Sequence, residues 1–464
     1  MSTLTKDVRK DQSHFEKIVE EVKAFPGGKV KVAITDIDGV LRGKVVHIDK
    51  FLSLVKSGFG FCDVVFGWDS NDKCYDSVGF TGWHTGYPDA KAVLDLATYR
   101  NVPWDNNIPF FLADLEREDG SPLEISPRNL LKKVRQDSLD LGYFPVFAQE
   151  FEWFNFNETS DSLHAKGFRE LNTLSKGMFG YSVLRATQNA PFFNDLFDLM
   201  GKFRIPIEGI HTETGPGVYE AAILYDDVLE AGDRAVLFKT AVKEIGHYHG
   251  IMPTFMAKWH SDYPGCSGHV HQSLWSDNQS RNIFYDSQKP GEPSDIMKSY
   301  IAGQLHCLPH ILPMYAPTIN SYKRLVEGHW APTTLSWGID NRTASIRAIL
   351  GGEKSARVEL RVPGSDVNPY LAMAASLASG LYGVKNKLNL EIPASRESAY
   401  RDKSLETLPK NLGDATKNMK NSDLPNELFG ESFVKHFVET REWEWQEHMK
   451  AVTDWEYKRY FEVI

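Results

Sequence analysis

Four cysteines in 464 residues, Cys62, Cys74, Cys266 and Cys307, are too few and too irregularly spaced for a disulfide framework or a zinc-binding pair. They read as free thiols of a reducing compartment, the cytoplasm. Long apolar runs are missing as well. The longest uncharged stretch of the C-terminal half, residues 369–384, is shorter than a membrane span and rich in Ala, Ser and Gly, which suits a packed core helix. Residues 1–17 alternate charged and polar side chains without the apolar segment of a secretion signal. Basic blocks are lacking too: 52 Lys and Arg stand against 62 Asp and Glu, a net charge of −10, which argues against nucleic acid or an anionic membrane as the main partner. Neither a Gly-x-x-x-x-Gly-Lys-Ser/Thr loop nor a Gly-x-Gly-x-x-Gly after a strand is present, so a nucleotide would have to be held through metal ions and arginines.

What is there is the composition of an ordinary globular protein, 42% hydrophobic and 25% charged. The length exceeds the ~250–300 residues that one core serves. Residues 29–34 and 43–46 read as strands around the turn Asp36-Ile37-Asp38-Gly39, and a glycine- and aromatic-rich stretch with a polar loop at 66–72 follows. Glu118-Asp119-Gly120-Ser121-Pro122 reads as a linker; Ser126-Pro127 reads as the start of a helix, Ser as N-cap, running to about Leu141. The expected class is α+β, with a small β-rich domain over residues 1–120 and a large mixed domain over 121–464.

Inside the aromatic run 143–156 stand Gln149-Glu150-Phe151-Glu152. In a strand, residues i and i+2 share a face, so the two glutamates project together, roughly 6.5–7 Å apart. Carboxylates among aromatics are too costly to keep ionised without a cation nearby. The segment His211-Thr212-Glu213-Thr214-Gly215-Pro216-Gly217-Val218-Tyr219-Glu220 adds two more carboxylates around a glycine-rich turn. His269 and His271 form a second i, i+2 pair, and Glu359 and Arg361 a third. Mostly carboxylate ligands with one or two imidazoles suit hard divalent cations, Mg²⁺ or Mn²⁺. Five carboxylates and a histidine can hold two such ions side by side, a clamp suited to phosphoryl transfer. Arg324, Arg342, Arg347, Arg357 and Arg361 crowd the same part of the chain, and planar guanidinium groups suit phosphate or a substrate carboxylate.

In this order the set closely resembles the glutamine synthetase family, over nearly the whole chain. The resemblance implies a β-grasp N-terminal domain, a catalytic domain with a curved antiparallel sheet flanked by helices, and a ring-shaped homo-oligomer, a dodecamer, with active sites between subunits. It implies that Glu152, Glu213 and Glu220 hold one metal ion and Glu150, His269 and Glu359 a second. His271, Arg342 and Arg347 match positions around the nucleotide phosphates, Arg324 and Arg361 those contacting glutamate or its transferred phosphoryl group, and Gly265 lies in the substrate loop. The implied chemistry has two steps: ATP phosphorylates the side-chain carboxylate of glutamate, then an amine displaces phosphate. Such charge transfer is accelerated chiefly by fixed cationic groups.

Departures from the family pattern bear on the amine. Where glutamine synthetases proper carry a flap glutamate before Ala-Pro, this chain has Trp330, in Leu325-Val326-Glu327-Gly328-His329-Trp330-Ala331-Pro332. The family's Asp-Gly-Ser-Ser loop, given to the neighbouring subunit's ammonium pocket, becomes Phe66-Gly67-Trp68-Asp69-Ser70. Pro264 stands where the family usually has Asn, and Glu406 where many bacterial relatives carry an adenylylated tyrosine, so no adenylylation is expected. Exchanging carboxylate for indole weakens a site for a small hydrated cation and offers apolar surface, about 0.8 kcal/mol per buried methylene. The expected activity is therefore ligation of an organic amine, an alkylamine or an arylamine such as aniline, to the γ-carboxylate of glutamate. Glu327 and Asp69 are the candidate proton acceptors, and Trp330 and Trp68 the candidate amine contacts. The alternatives are a γ-glutamylpolyamine synthetase, an ammonia-dependent glutamine synthetase and a catalytically silent structural ring.

Overall fold

The computed structural model describes residues 4–464 apart from residue 277, with side chains from residue 13 onward. The N-terminal sheet comprises β1 (Lys29–Thr35), β2 (Leu41–His47), β3 (Phe59–Cys62), β4 (Asp89–Leu94), β5 (Arg100–Val102) and β6 (Ile108–Glu116). Its order is β2-β1-β6-β4-β3, with β5 on β6; β1 and β6 run parallel at the centre and the helix Ile48–Ser57 follows the first hairpin, a β-grasp arrangement. Asp36 closes that hairpin by accepting from the N–H groups of Asp38 and Val40. Gly39 takes φ +83° there, and a side chain would press on the Asn368 backbone at 3.0 Å. Asn368 donates back to the carbonyls of Asp36 and Ile37, which ties the hairpin to the rest of the chain.

The second sheet has nine strands: β7 (Tyr143–Phe156), β8 (Ile207–Thr212), β9 (Val218–Ile223), β10 (Asp226–Asp227), β11 (Met252–Thr254), β12 (Gly268–Ser276), β13 (Trp337–Ile339), β14 (Ile346–Ile349) and β15 (Arg357–Leu360). Its order is β13-β14-β15-β12-β7-β9-β8, with β10 and β11 on β7. Every pairing is antiparallel, as expected of this sheet, except β13 with β14, which run parallel at its edge.

Strand β7 shows why the sequence folds this way. From Pro145 to Trp153 its odd-numbered residues are buried and its even-numbered ones less so, the period-2 pattern of a strand with one face on the core. Phe151 and Trp153 pack on Phe238 with ring centroids 5.9 and 5.6 Å apart. Each fully buried aromatic of this kind contributes roughly 1.5–3 kcal/mol. Phe238 belongs to the helix Val228–Tyr248, which with the helices Pro127–Asp140 and Pro369–Lys385 backs the sheet. The last is buried along most of its length, the core helix read from the sequence. Ser126 occupies the N-cap of the helix Pro127–Asp140 as expected, but without a side-chain capping bond. Among the described residues no helix is long and apolar enough to cross a membrane.

Candidate active site

Strand register assembles the polar face. Glu150 on β7 lies opposite His269 on β12; His271 lies opposite Glu359 on β15, which lies opposite Arg347 on β14. On the other side, Glu152 lies opposite Glu220 on β9, which lies opposite His211 on β8. A one-residue slip in any pairing would turn these side chains into the core.

Two groups of potential metal ligands result, one of Glu150, His269 and Glu359, the other of His211, Glu213 and Glu220; within each, the ligand atoms lie within 4.8 Å of one another. His269 Nδ1 is 3.1 Å from Glu150 Oε1 and 3.2 Å from Glu359 Oε1. Glu152 is held by its own backbone surroundings: its carboxylate accepts from the Ser267 N–H at 2.7 Å and its carbonyl from Ser365 Oγ at 2.6 Å. His211, which carries no assignment in the sequence reading, completes the second group, with Nε2 3.4 Å from Glu213 and 3.7 Å from Glu220, and stacks on Tyr181 at 4.6 Å. Its signal in the sequence is its place two residues before Glu213.

The charge balance asks for a cation. Burial and the neighbouring Glu150, Glu152 and Glu213 push the Glu220 carboxyl up to about 11. Burial opposes charge on Glu359 also, but Arg361, His269 and His271 outweigh it and hold that carboxyl at about 2. Burial and Arg361 press His269 down to about 4, so its imidazole is neutral, as a metal ligand requires. His269 Nε2, His211 Nε2 and Glu213 Oε2 are buried without a hydrogen-bond partner among the described residues. Oxygen-rich donors, the neutral His269 imidazole and orphaned buried polar atoms fit hard divalent cations.

Arginines close the site on one side. Arg361 reaches the Glu359 carboxylate and the Arg342 carbonyl, and Arg347 bridges Glu359 at 2.9 Å and Asp340 at 2.9 Å. Arg324 is buried, donating to the carbonyls of Val362 and Arg361 at 2.9 and 3.1 Å. Gly265 permits that approach, since a Cβ there would lie 2.7 Å from Arg324 Cγ. Arg342 has an exposed side chain. Arg357 Nε donates to His271 Nδ1 at 3.2 Å, and these two line a cavity with Glu150, Tyr225, Trp275 and Lys354.

A second, smaller cleft is lined by Glu152, Glu213, Gly265, Ser267, His269, Arg324, His329, Trp330 and Arg361. Glu327, expected to face the reacting amine, does not line it. Its carboxylate is 58% exposed and pairs with Lys403 at 3.5 Å, while past the left-handed backbone at Gly328 (φ +81°) and Trp330 (φ +60°) a half-buried His329 and a Trp330 that is itself 58% exposed border the cleft. His329, another residue the sequence reading passed over, lies with Nδ1 3.5 Å from Lys258 Nζ; burial and that lysine keep its imidazole below the usual range, hence neutral. Trp68 and Asp69 belong to the N-terminal part and line neither cavity. Asp69 Oδ1 accepts from the N–H groups of Asn71 and Lys73 in its own loop, and Trp68 carries the Arg42 guanidinium 5.3 Å from its ring.

Comparison with known proteins adds an independent line. Residues 124–460 match the glutamine synthetase catalytic domain. The chain is 52% identical over 450 residues, 96% of its length and 86% of the other, to type-1 glutamine synthetase 2 of Dictyostelium discoideum. It is 38% identical over 438 residues, 94% and 95% of the two lengths, to glutamate–isopropylamine ligase of a Pseudomonas species. A solved structure described as a GmaS/ADP complex superposes with TM-score 0.81 at 24% identity, covering 94% of this chain and 96% of that one, a likeness of fold. Carboxylates and imidazoles paired across one curled sheet, an arginine wall and these matches place the chain in the glutamine synthetase family, whose members are ATP-dependent ligases that use divalent metal ions.

Proposed function

We propose that this chain joins an organic primary amine, an alkylamine or an arylamine such as aniline, to the γ-carboxylate of glutamate, giving a γ-glutamylamide, ADP and phosphate. The observation that carries this is the flap: Trp330, 58% exposed, and His329 border the cleft while Glu327 pairs with Lys403 outside it. An indole at the point of attack rewards a carbon body on the amine, about 0.8 kcal/mol per methylene covered. Ammonium has no methylene to bury against that surface. Beyond the candidate metal ligands, the described lining of this cleft offers no carboxylate for a polyamine's second charge.

In this reading Glu152, Glu213 and Glu220, with His211 beside them, hold one divalent cation, Mg²⁺ or Mn²⁺, and Glu150, His269 and Glu359 a second. Such ions, when bound, neutralise charge on the β- and γ-phosphates. His271, Arg342 and Arg347 hold the phosphate chain, and the cavity with Tyr225 and Trp275 takes the base. Arg324 and Arg361 orient glutamate so that a γ-carboxylate oxygen attacks the γ-phosphorus of ATP and ADP leaves. The neutral amine nitrogen then attacks the acyl carbon, the C–N bond forms, the C–O bond breaks, and phosphate departs carrying the proton that the nitrogen loses. Fixed guanidinium groups are strongest where charge builds in a dry site. The active unit in this reading is a cytoplasmic ring, a dodecamer, in which Trp68 of the partner subunit meets Trp330, and the domain boundary falls at residue 120.

A second reading, ammonia as the nucleophile, is favoured by the 52% identity to a relative named as a glutamine synthetase. The test is to incubate the protein with ATP, Mg²⁺ or Mn²⁺, glutamate and separately ammonia, isopropylamine, aniline and putrescine, and to identify products by mass spectrometry. A γ-glutamylamide of isopropylamine or aniline is expected; glutamine as the sole product selects the second reading. Absence of glutamate-dependent ADP release would remove both.

A further inference from the structure

Two successive carbonyls of the flap are held from opposite sides. Arg361 Nη2 donates to the Trp330 carbonyl at 3.4 Å, and Tyr400 Oη donates to the Ala331 carbonyl at 3.0 Å. Between them Trp330 sits at φ +60°, a conformation that costs a bulky residue of order 1–3 kcal/mol and persists only where the surroundings enforce it. Of the two bonds the phenol's, on the next carbonyl, is the shorter.

Tyr400 is itself anchored. Ala399 N–H donates to Thr343 Oγ1 at 2.8 Å, and Asn341 Nδ2 donates to the carbonyls of Ser395 and Glu397 at 2.9 and 2.8 Å. Those bonds fix the segment to the turn that carries Arg342, whose carbonyl takes Arg361 Nε at 3.0 Å. Downstream, Leu335 N–H donates to the Glu406 carbonyl and Leu408 N–H to the Thr333 carbonyl, so the segment is knitted to the flap's exit as well. One strap thus spans the arginine turn and the amine flap, and Tyr400 is its contact with the flap tip.

We propose that Tyr400 is a positioning residue for the second half-reaction: its hydroxyl holds the Trp330–Ala331 backbone so that the indole covers the site where the amine attacks. This rests on the reading that the flap faces the nucleophile, whichever amine that is. Burial raises the phenol's pKa above its ordinary value, with Arg361 and Arg324 only partly offsetting it, so the hydroxyl stays a donor across neutral pH.

The test is Tyr400→Phe, which keeps the ring and removes the donor. KM for the amine used by the unaltered protein is expected to rise about 3- to 10-fold, the worth of one hydrogen bond. KM for ATP and for glutamate should stay within about twofold, and the pH profile should run parallel to the original. Lys403→Met, which removes exposed contacts to Glu327 of the flap and to the Tyr400 carbonyl but leaves the phenol bond intact, should keep all three constants within about twofold. A fall in melting temperature with no change in the amine KM would overturn the proposal, because Tyr400 would then only stabilise the fold. A parallel rise of all three constants would overturn it too. Because the readout is taken with whichever amine is consumed, ammonia included, failure of the organic-amine reading leaves this outcome separately legible.

Discussion

His269 Nδ1 stands between Glu150 Oε1 and Glu359 Oε1, at 3.1 and 3.2 Å, so one neutral imidazole joins carboxylates from strands two hundred residues apart in the chain. On the other side of β7, Glu152 faces Glu220, and no lysine or arginine reaches Glu220 among the described ion pairs.

Glu220 gives the most discriminating test of the metal site. With its carboxyl pushed up to about 11 by burial and by Glu150, Glu152 and Glu213, it carries a proton in the metal-free chain at pH 7–8. Glutamine is then its near isostere. Glu220→Gln should leave the melting temperature in chelator within about 2 °C of the original. The stabilisation by saturating Mg²⁺ or Mn²⁺, about 2.7 kcal/mol at a hundredfold excess over Kd, should fall by more than half. Thermal melts with and without the ions read both.

Glu327 tests the flap geometry. Its contact to Lys403 is exposed and worth at most about 1 kcal/mol. Glu327→Ala should therefore keep kcat/KM for the amine within about threefold. Loss of a general base would cost about 10²- to 10⁴-fold, and steady-state kinetics separates the two outcomes.

Lys239 gives a signed pH dependence away from the site. Burial, then the nearby Lys243, lowers it from 10.5 to about 7, although its ammonium donates to the Val367 carbonyl at 2.8 Å and lies 5.7 Å from the Phe151 and Phe255 ring centroids. Between about pH 7 and 10 the unfolded chain binds the extra proton, so this residue's contribution to stability rises with pH and is least favourable below pH 7. Lys239→Met should gain stability relative to the original at pH 6 and lose that advantage by pH 10. The difference between the two proteins should change by at least about 2 kcal/mol in denaturant titrations.

Much of this was legible in the sequence because strands write their faces with period two. Glu150 with Glu152, His269 with His271, and Glu359 with Arg361 all lie on the site face, and the helix Pro369–Lys385 is the core helix its composition suggests. What the sequence does not write is register between distant strands and backbone handedness in loops. His211 enters the second ligand group only through the β8–β9 pairing, which includes a shift between Ile207 and Gly209. Glu327 stands outside the cleft beside the left-handed φ of Gly328 and Trp330, a turn that no residue pattern fixes when one of the two is tryptophan. The Tyr400 strap depends on a contact between segments far apart in the chain, beyond the reach of local propensity.

The central claim, that Trp330 selects a carbon-bearing amine, is tested most directly by competition in one reaction. The protein is given ATP, Mg²⁺, glutamate and equal concentrations of ammonia and isopropylamine or aniline, and the ratio of γ-glutamylamide to glutamine is measured, first for the original and then for Trp330→Glu. An organic product is expected to exceed glutamine by at least about tenfold in the original, and the substitution to shift the ratio toward glutamine by at least that factor. Glutamine as the dominant product of the original protein, or a ratio unmoved by Trp330→Glu, would contradict it.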